Sequence, residues 1–241
     1  MTTGRAAAKP VRAAGVLALL GGSEFTDATA ALDRQLLELA GTDEVTVIGA
    51  AAAYEEPQHV VARAEAHFAG LGASVRALGV YTRRDANDDA QVRQAKNAKL
   101  VYLTDGSPMH LRSVLKDTQL LDVIMGGNRR GSVLAASGAG ATVLCDPMID
   151  PRGGAYTVGL GLVPHTAVFA HHTNRPDHIW ARAVDLLPAD ATLVGIDDGT
   201  AVVRDANGWR VVGDGEVVTT AARGGSPERH RAGALAVLSS R

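Results

Sequence analysis

The stretch SVLAASGAGATVLC, residues 132–145, decides the fold, because it joins a short apolar run to a helical segment through a turn of small residues. Such a strand–turn–helix passage is typical of a nucleophile elbow, where a tight turn lifts one side chain above a sheet. The spacing places Gly138 at the nucleophile position, one residue after Ser137. From the residues alone, a turn built for tight packing and a reactive site are equally open interpretations.

Short apolar runs alternate with amphipathic segments on both sides of this stretch, which predicts parallel strands joined by helices. We predict strands at residues 16–20, 45–48, 75–78, 100–103 and 132–136, and helices at 28–40, 57–69, 88–98, 107–125 and 141–145. Asp27 is the candidate N-cap of the first helix, and Ser107 that of the fourth.

Glycine-containing turns separate four short runs in the last third of the chain, at residues 192–196, 201–204, 209–212 and 217–220. These turns are hairpin signals, so antiparallel strands should extend one edge of the sheet. In this interpretation Asp197 and Asp198 are hairpin-turn residues. The predicted fold class is α/β: a flavodoxin-like three-layer sandwich with a mostly parallel sheet and C-terminal antiparallel hairpins.

One domain is expected over residues 15–220, between a flexible N-terminal tip at residues 1–14 and a tail at residues 221–241. Within the tail, residues 232–238 could dock as a short helix. The apolar run near the N-terminus is too short to span a bilayer and leads into no plausible cleavage site. A cytoplasmic protein is therefore expected.

Composition and residue spacing argue against several classes of binding site. The 241 residues carry a formal net charge of −2, which argues against nucleic-acid and membrane-surface binding by bulk charge. One cysteine, Cys145, excludes an internal disulfide and a multi-cysteine zinc site. The spacing of His171, His172 and His178 does not place three imidazoles on one face, and the glycine pair at residues 21–22 lacks the full dinucleotide fingerprint. We therefore expect no metal and no cofactor.

Eight short segments together carry a resemblance to a known family. They are LGGSE (20–24), DAND (85–88), LTDGS (103–107), GSVLAASGAGA (131–141), MID (148–150), GLGL (159–162), HH (171–172) and VGIDDGTA (194–201). In this order the chain resembles the cyanophycinase and dipeptidase E family of serine peptidases, which has the class I glutamine amidotransferase-like fold. The resemblance covers roughly residues 15–220.

The resemblance implies a serine nucleophile at position 138, where this chain has glycine, and a histidine base at His172. The acid of the triad has no clean counterpart; Asp150 is our candidate and Asp146 a second. Backbone N–H groups of Gly106 and Ala139 would form the oxyanion hole, with Ser107 beside it. Two further departures from the cyanophycin-degrading branch are Pro108 in place of a glutamine and the pair Ala170-His171 in place of Asp-Gln.

Hydrolysis through an acyl-enzyme needs a hydroxyl group beside a histidine base. Because position 138 has no side chain, we expect a family member that has lost its nucleophile: a pseudoenzyme, or a protein that binds a small ligand or partner. Expected partners are a small acidic peptide or amino acid, a second copy of the chain, or an active paralogue. The alternative is an active hydrolase on small acidic or β-aspartyl peptides, using Ser137 or a water activated by His172.

Overall fold

The computed structural model describes residues 15–221, 225–235 and 238. Strands in this part are β1 Leu17–Leu20, β2 Glu44–Ile48, β3 Ser74–Leu78, β4 Leu100–Leu103, β5 Val133–Ser137, β6 Cys145–Asp146, β7 Met148–Ile149, β8 Tyr156–Thr157, β9 Val163–Pro164, β10 Thr166–Ala170, β11 Thr192–Ile196, β12 Ala201–Asp205, β13 Gly208–Val212, β14 Val217–Thr220, β15 Glu228–His230 and β16 Gly233–Ala234. Helices are α1 Ala30–Ala40, α2 Pro57–Gly70, α3 Asp89–Lys96, α4 Pro108–Leu115, α5 Gln119–Arg129, α6 Ala139–Leu144 and α7 Asp177–Asp185. The predicted N-terminal tip lies outside the described residues.

Two larger sheets organise the molecule. The first has the strand order β16-β13-β12-β1-β5-β4-β2-β3, in which the five strands from β1 to β3 are parallel and β12 pairs antiparallel with β1. The second has the order β15-β14-β11-β10-β6-β9, with β10 and β11 parallel. The predicted α/β class is confirmed. The hairpin strands are divided between the two sheets, because β12 and β13 extend the first while β11 and β14 lie in the second.

Both faces of the first sheet are covered, which explains its uninterrupted apolar strands. One face packs on α1 and α2, where Leu20, Tyr102 and Phe68 belong to one buried cluster. The opposite face packs on α3 to α6, with Leu19 and Leu103 in that cluster. Helix α6 is buried along its whole length, and it contacts β5 of the first sheet and β10 of the second. Helix α6 and the turn that begins it therefore lie between the two sheets.

Several predicted helix limits were wrong. The helix expected over residues 107–125 is broken into α4 and α5, because Asp117 adopts a left-handed backbone with φ 55°. The Arg83 guanidinium donates to the carbonyls of Lys116 and Asp117 there, and the hydroxyl of Thr118 accepts from the N–H of Leu121 to begin α5. Helix α1 begins at Ala30 rather than at residue 28, so Thr29 and not Asp27 stands at its N-cap, and helix α7 was not predicted.

The tail also differs from expectation where it is described. Residues 233–234 form β16 on β13 instead of part of a short helix, and residues 228–230 form β15 on β14. Glu216 anchors this part, because its carboxylate accepts hydrogen bonds from Arg229 and Arg231. Within the part of the chain that the structure describes, the helices lack the combination of length and apolar character that a membrane span needs.

Candidate active site

The turn between β5 and α6 has the geometry of an elbow. Gly138 stands at its tip with φ 52° and ψ −110°, a conformation that strains any residue with a side chain. Its N–H donates to the carbonyl of Leu20 at 3.1 Å, which ties the turn to β1. A Cβ at Gly140 would overlap the backbone of Leu103. Gly140 is therefore required by the close approach of α6 to β4.

A carboxylate fills the space above Gly138. Oδ1 of Asp105 accepts from the backbone N–H groups of Gly106 and Ala139, both at 2.7 Å. Oδ2 of Asp105 lies 2.7 Å from Nε2 of His171. A Cβ built on Gly138 would lie 2.6 Å from Oδ2 and closer still to Cγ and Oδ1. With Asp105 in this position, the turn has no room for any side chain at position 138.

His171 bridges two carboxylates. Its Nδ1 lies 2.7 Å from Oδ1 of Asp198, while its Nε2 faces Asp105. An ionised carboxylate only accepts hydrogen bonds, so both ring nitrogens must carry protons. The hydrogen bond that His171 donates to Asp105 raises the pKa of His171 most, burial opposes it, and the resulting pKa is about 9. The ring is therefore an imidazolium at neutral pH.

The pKa of Asp105 is shifted in the opposite direction. Burial by itself would raise it, but the hydrogen bond and charge of His171, together with the N–H groups of Ala139 and Gly106, outweigh burial. The pKa of Asp105 therefore lies below its ordinary value. The pair is ionic at neutral pH, although about a quarter of each side chain is still exposed, 29% for Asp105 and 24% for His171.

The glycine pair at residues 21–22 lies directly against His171. The N–H of His171 donates to the carbonyl of Gly21 at 2.8 Å. A Cβ at Gly22, whose φ is +146°, would overlap both the His171 ring and Oδ1 of Asp198. Only a residue without a side chain fits between the two groups. Gly22 is therefore required by the contact between His171 and Asp198.

Glu24 links the end of β5 to the loop that follows β4. Its Oε2 accepts from the Ser137 hydroxyl at 2.8 Å, and its Oε1 accepts from the N–H of Asp105 at 3.2 Å. Glu24 is 6% exposed and Ser137 is fully buried. The residues on either side, Ser23 and Phe25, both have positive φ, which is costly for residues with side chains. The contacts of Glu24 are therefore built on an unusual backbone conformation on both sides of it.

The structure does not bring the other predicted catalytic residues to the elbow. His172 points away from it: Nδ1 lies 3.3 Å from Oδ1 of Asp197, and the ring packs against Trp180 with 4.6 Å between ring centroids. Asp150 is paired with Arg152 at 2.7 Å. The carboxylate placed beside His171 is Asp198. Asp150 as the acid and His172 as the base therefore do not match this geometry.

Two further predicted residues have local structural partners. The Ser107 hydroxyl accepts from the N–H of His110 at 3.3 Å and so caps α4, as its position before Pro108 suggested. Asp146 accepts from the N–H of Gly159 at 3.1 Å. The predicted N–H groups of Gly106 and Ala139 do converge on one point, which is the Asp105 carboxylate.

The sequence did not lead us to predict three residues of this site: Asp105, His171 and Asp198. Which of the two adjacent histidines faces the elbow depends on the backbone at the end of β10. This strand ends at Ala170, and His171 has φ 55°, so the side chains no longer alternate between the two faces of the strand from this residue on. Asp198 was assigned to a turn, and Asp105 was not singled out. The usable signal was position, since both follow buried strands at their carboxyl ends, where sites form in parallel sheets.

The cavity beside Asp105 is small. It measures about 20 Å³ and is lined by Gly106, Ala139, Thr142, Phe169 and Arg175, among others. This is room for roughly one water molecule, whereas small-molecule pockets measure about 300–1,000 Å³. With Asp105 in place, the elbow has no preformed space for a peptide.

Among the described residues, no three His, Cys, Asp or Glu side chains are grouped as a metal ion would require. Burial raises the pKa of the Cys145 thiol to about 12, so the sulfur is protonated and unreactive at neutral pH.

The parallel sheet, the elbow after β5 and the histidine–carboxylate pair beside it define the class of the protein, an α/β protein built like a serine hydrolase. The sequence profile of peptidase family S51 matches residues 17–212. The chain is 30% identical to a cyanophycinase of Trichormus variabilis over 213 residues, which cover 83% of this chain and 71% of that protein. A cyanophycinase of a Nostoc species is 29% identical over the same shares.

Solved structures agree with this match. The structure described as a peptidase from an acI-B1 actinobacterium superposes with a TM-score of 0.82 at 29% identity, covering 93% of this chain and 97% of that one. The chain belongs to peptidase family S51.

Proposed function

We propose that this chain is a cyanophycinase-like member of peptidase family S51 that has lost its nucleophile. In this proposal it does not cleave peptides through an acyl-enzyme, and it works as a pseudoenzyme that binds a small acidic ligand or a protein partner. The observation that carries the proposal is Gly138 at the tip of the elbow, with the conformation of a strained turn and no side chain. Loss of the nucleophile from a serine triad costs a factor of about a million in turnover.

The charge state of His171 supports the same conclusion. A general base must have an unprotonated nitrogen that faces the group it deprotonates. Both nitrogens of His171 donate to carboxylates, Asp105 and Asp198, and its pKa of about 9 keeps the proton in place at neutral pH. The elbow therefore lacks an available base as well as a hydroxyl group.

Two contacts count against the alternative, an active hydrolase on small acidic or β-aspartyl peptides. The Ser137 hydroxyl is fully buried and donates to Glu24, so no substrate carbonyl reaches it without rearrangement. His172 faces Asp197 and Trp180, and neither group borders the elbow cavity. A water activated by His172 would therefore act at a different place from the elbow.

The test combines turnover with labelling. The purified protein is incubated with aspartyl dipeptides and a β-aspartyl-arginine dipeptide, and separately with a fluorophosphonate followed by intact mass measurement. We expect no adduct and a rate far below the ~10 per second of a typical enzyme. The His171→Ala variant, purified in the same way, is the matched control, because a contaminating peptidase would act equally in both preparations. Turnover near the typical rate that disappears in Ser137→Ala would refute the proposal in favour of the alternative.

A further inference from the structure

The donors at the elbow are all occupied by one side chain of the same molecule. Two backbone N–H groups, from Gly106 and Ala139, donate to Oδ1 of Asp105, and the His171 imidazolium donates to Oδ2. In acyl transfer, two backbone N–H groups bind the developing oxyanion while the histidine faces the nucleophile oxygen. The two oxygens of Asp105 thus take the positions suited to both oxygen atoms of such an intermediate.

We propose that Asp105 is an internal ligand that closes a carboxylate-binding site at the elbow, and that removing its side chain opens this site to small carboxylates and acyl groups. The inference rests on the proposed function, because it assumes that the elbow has no working serine. It adds that two features prevent acyl transfer at the elbow, and the missing hydroxyl group is the first of them. The second is that the Asp105 carboxylate already occupies the oxyanion hole.

Shape supports this inference as strongly as hydrogen bonding. A side chain at Gly138 would overlap the Asp105 carboxylate, so Asp105 in this position and a serine at position 138 exclude each other. The remaining cavity of about 20 Å³ holds roughly one water. Loss of the carboxylate would leave its three donors facing the enlarged cavity. Such an arrangement of donors binds an anion of carboxylate size.

Asp105 itself is poorly suited to react. Each of its oxygens accepts at least one hydrogen bond at 2.7 Å, and the charge of His171 lies beside it. These contacts stabilise the ionised form and lower the pKa of Asp105. A carboxylate so stabilised is a weak base and a weak nucleophile. Its contacts fit a bound ligand better than a catalyst.

Acetate, as the smallest organic carboxylate, tests the site directly. Backbone amide signals of Gly106 and Ala139 are followed by NMR during an acetate titration of three proteins: the unchanged chain, Asp105→Ala and the control Asp122→Ala. Asp122 is exposed on α5, so the control removes one carboxylate from another part of the chain. We expect saturable shifts of both signals in Asp105→Ala alone. Equal responses in all three proteins, or no response in Asp105→Ala, would overturn the proposal.

Fluorophosphonate labelling provides the second arm. Gly138→Ser supplies the hydroxyl group but leaves Asp105 in conflict with it, whereas Gly138→Ser with Asp105→Ala supplies the hydroxyl and frees both oxyanion donors. Because one such donor is worth a factor of about 10²–10³, the double variant should label at least about 100-fold faster. Measurable but equal labelling of the single and double variants would overturn the proposal, and absence of labelling in both would overturn its claim that removing the Asp105 side chain opens the site to acyl groups.

These outcomes are separate from those of the proposed function. Labelling or peptide turnover by the unchanged protein would refute the loss of activity, whatever the variants do. Circular dichroism spectra and melting temperatures of all variants confirm that each compared protein is folded. In the double variant, adding His171→Ala should abolish labelling, since the new serine would then have no base.

Discussion

Replacing Gly138 by alanine should destabilise the protein by an amount that depends on Asp105. Two costs combine in this variant. The backbone at φ 52° and ψ −110° strains a residue with a Cβ atom, at about 1–3 kcal/mol. The new Cβ also displaces the Asp105 carboxylate, since it would lie 2.6 Å or less from all three of its outer atoms.

The second cost follows from the hydrogen bonds of the displaced carboxylate. A hydrogen bond to a charged group contributes about 1.5–3 kcal/mol, and Asp105 accepts three. Because 29% of the side chain is exposed, the displaced carboxylate regains water and most of this loss is offset. We therefore expect displacement to cost about as much as one such bond, and the whole substitution about 2.5–6 kcal/mol.

A double-mutant cycle separates the two costs. Free energies of unfolding in urea are measured for the unchanged protein, Gly138→Ala, Asp105→Ala and the double variant. Once Asp105 is alanine, the new Cβ has nothing to displace, so the double variant should be less destabilised than the sum of the single variants by about 1.5–3 kcal/mol. Additivity within about 0.5 kcal/mol would refute the reasoning, because it would mean that Asp105 does not occupy the space above Gly138.

Three further predictions concern pH, metal and Glu24. Since the pKa of His171 is raised from 6.5 to about 9, its stabilising contribution is complete below pH 6.5 and should be lost as the pH rises through 9; urea midpoints over this range should fall for the unchanged protein and much less for Asp105→Ala. A strong chelator should leave the melting temperature unchanged, because no described residues form a three-ligand group, and a large drop would contradict this. Glu24→Ala should lower the free energy of unfolding by about 2–4 kcal/mol, as it leaves a buried hydroxyl and an N–H group without their acceptor. Glu24→Gln should cost less in the same urea assay because the amide keeps one acceptor oxygen, and equal costs for the two variants would argue against this role.

Local sequence patterns predicted most elements of the fold. The strand at residues 100–103 and those at residues 192–196 and 217–220 agree with β4, β11 and β14 to the residue, since a buried parallel or hairpin strand has a marked apolar pattern. The break at Asp117 was missed because a polar residue with positive φ has no distinctive sequence signal. The split into two sheets was missed for another reason: strand pairing depends on partners distant in the chain.

By itself, the sequence determined the α/β class, the turn of small residues at 137–141 and the absence of a side chain at Gly138, because these depend on local apolar patterns and on the identity of a few residues. Only the tertiary structure decided which histidine faces the elbow and what fills the space above the glycine. Asp105 and His171 lie 66 positions apart in the chain, and His171 and Asp198 lie 27 apart. Their contact depends on the parallel strands that end at one edge of the sheets and on the backbone turn at His171, which no local pattern encodes.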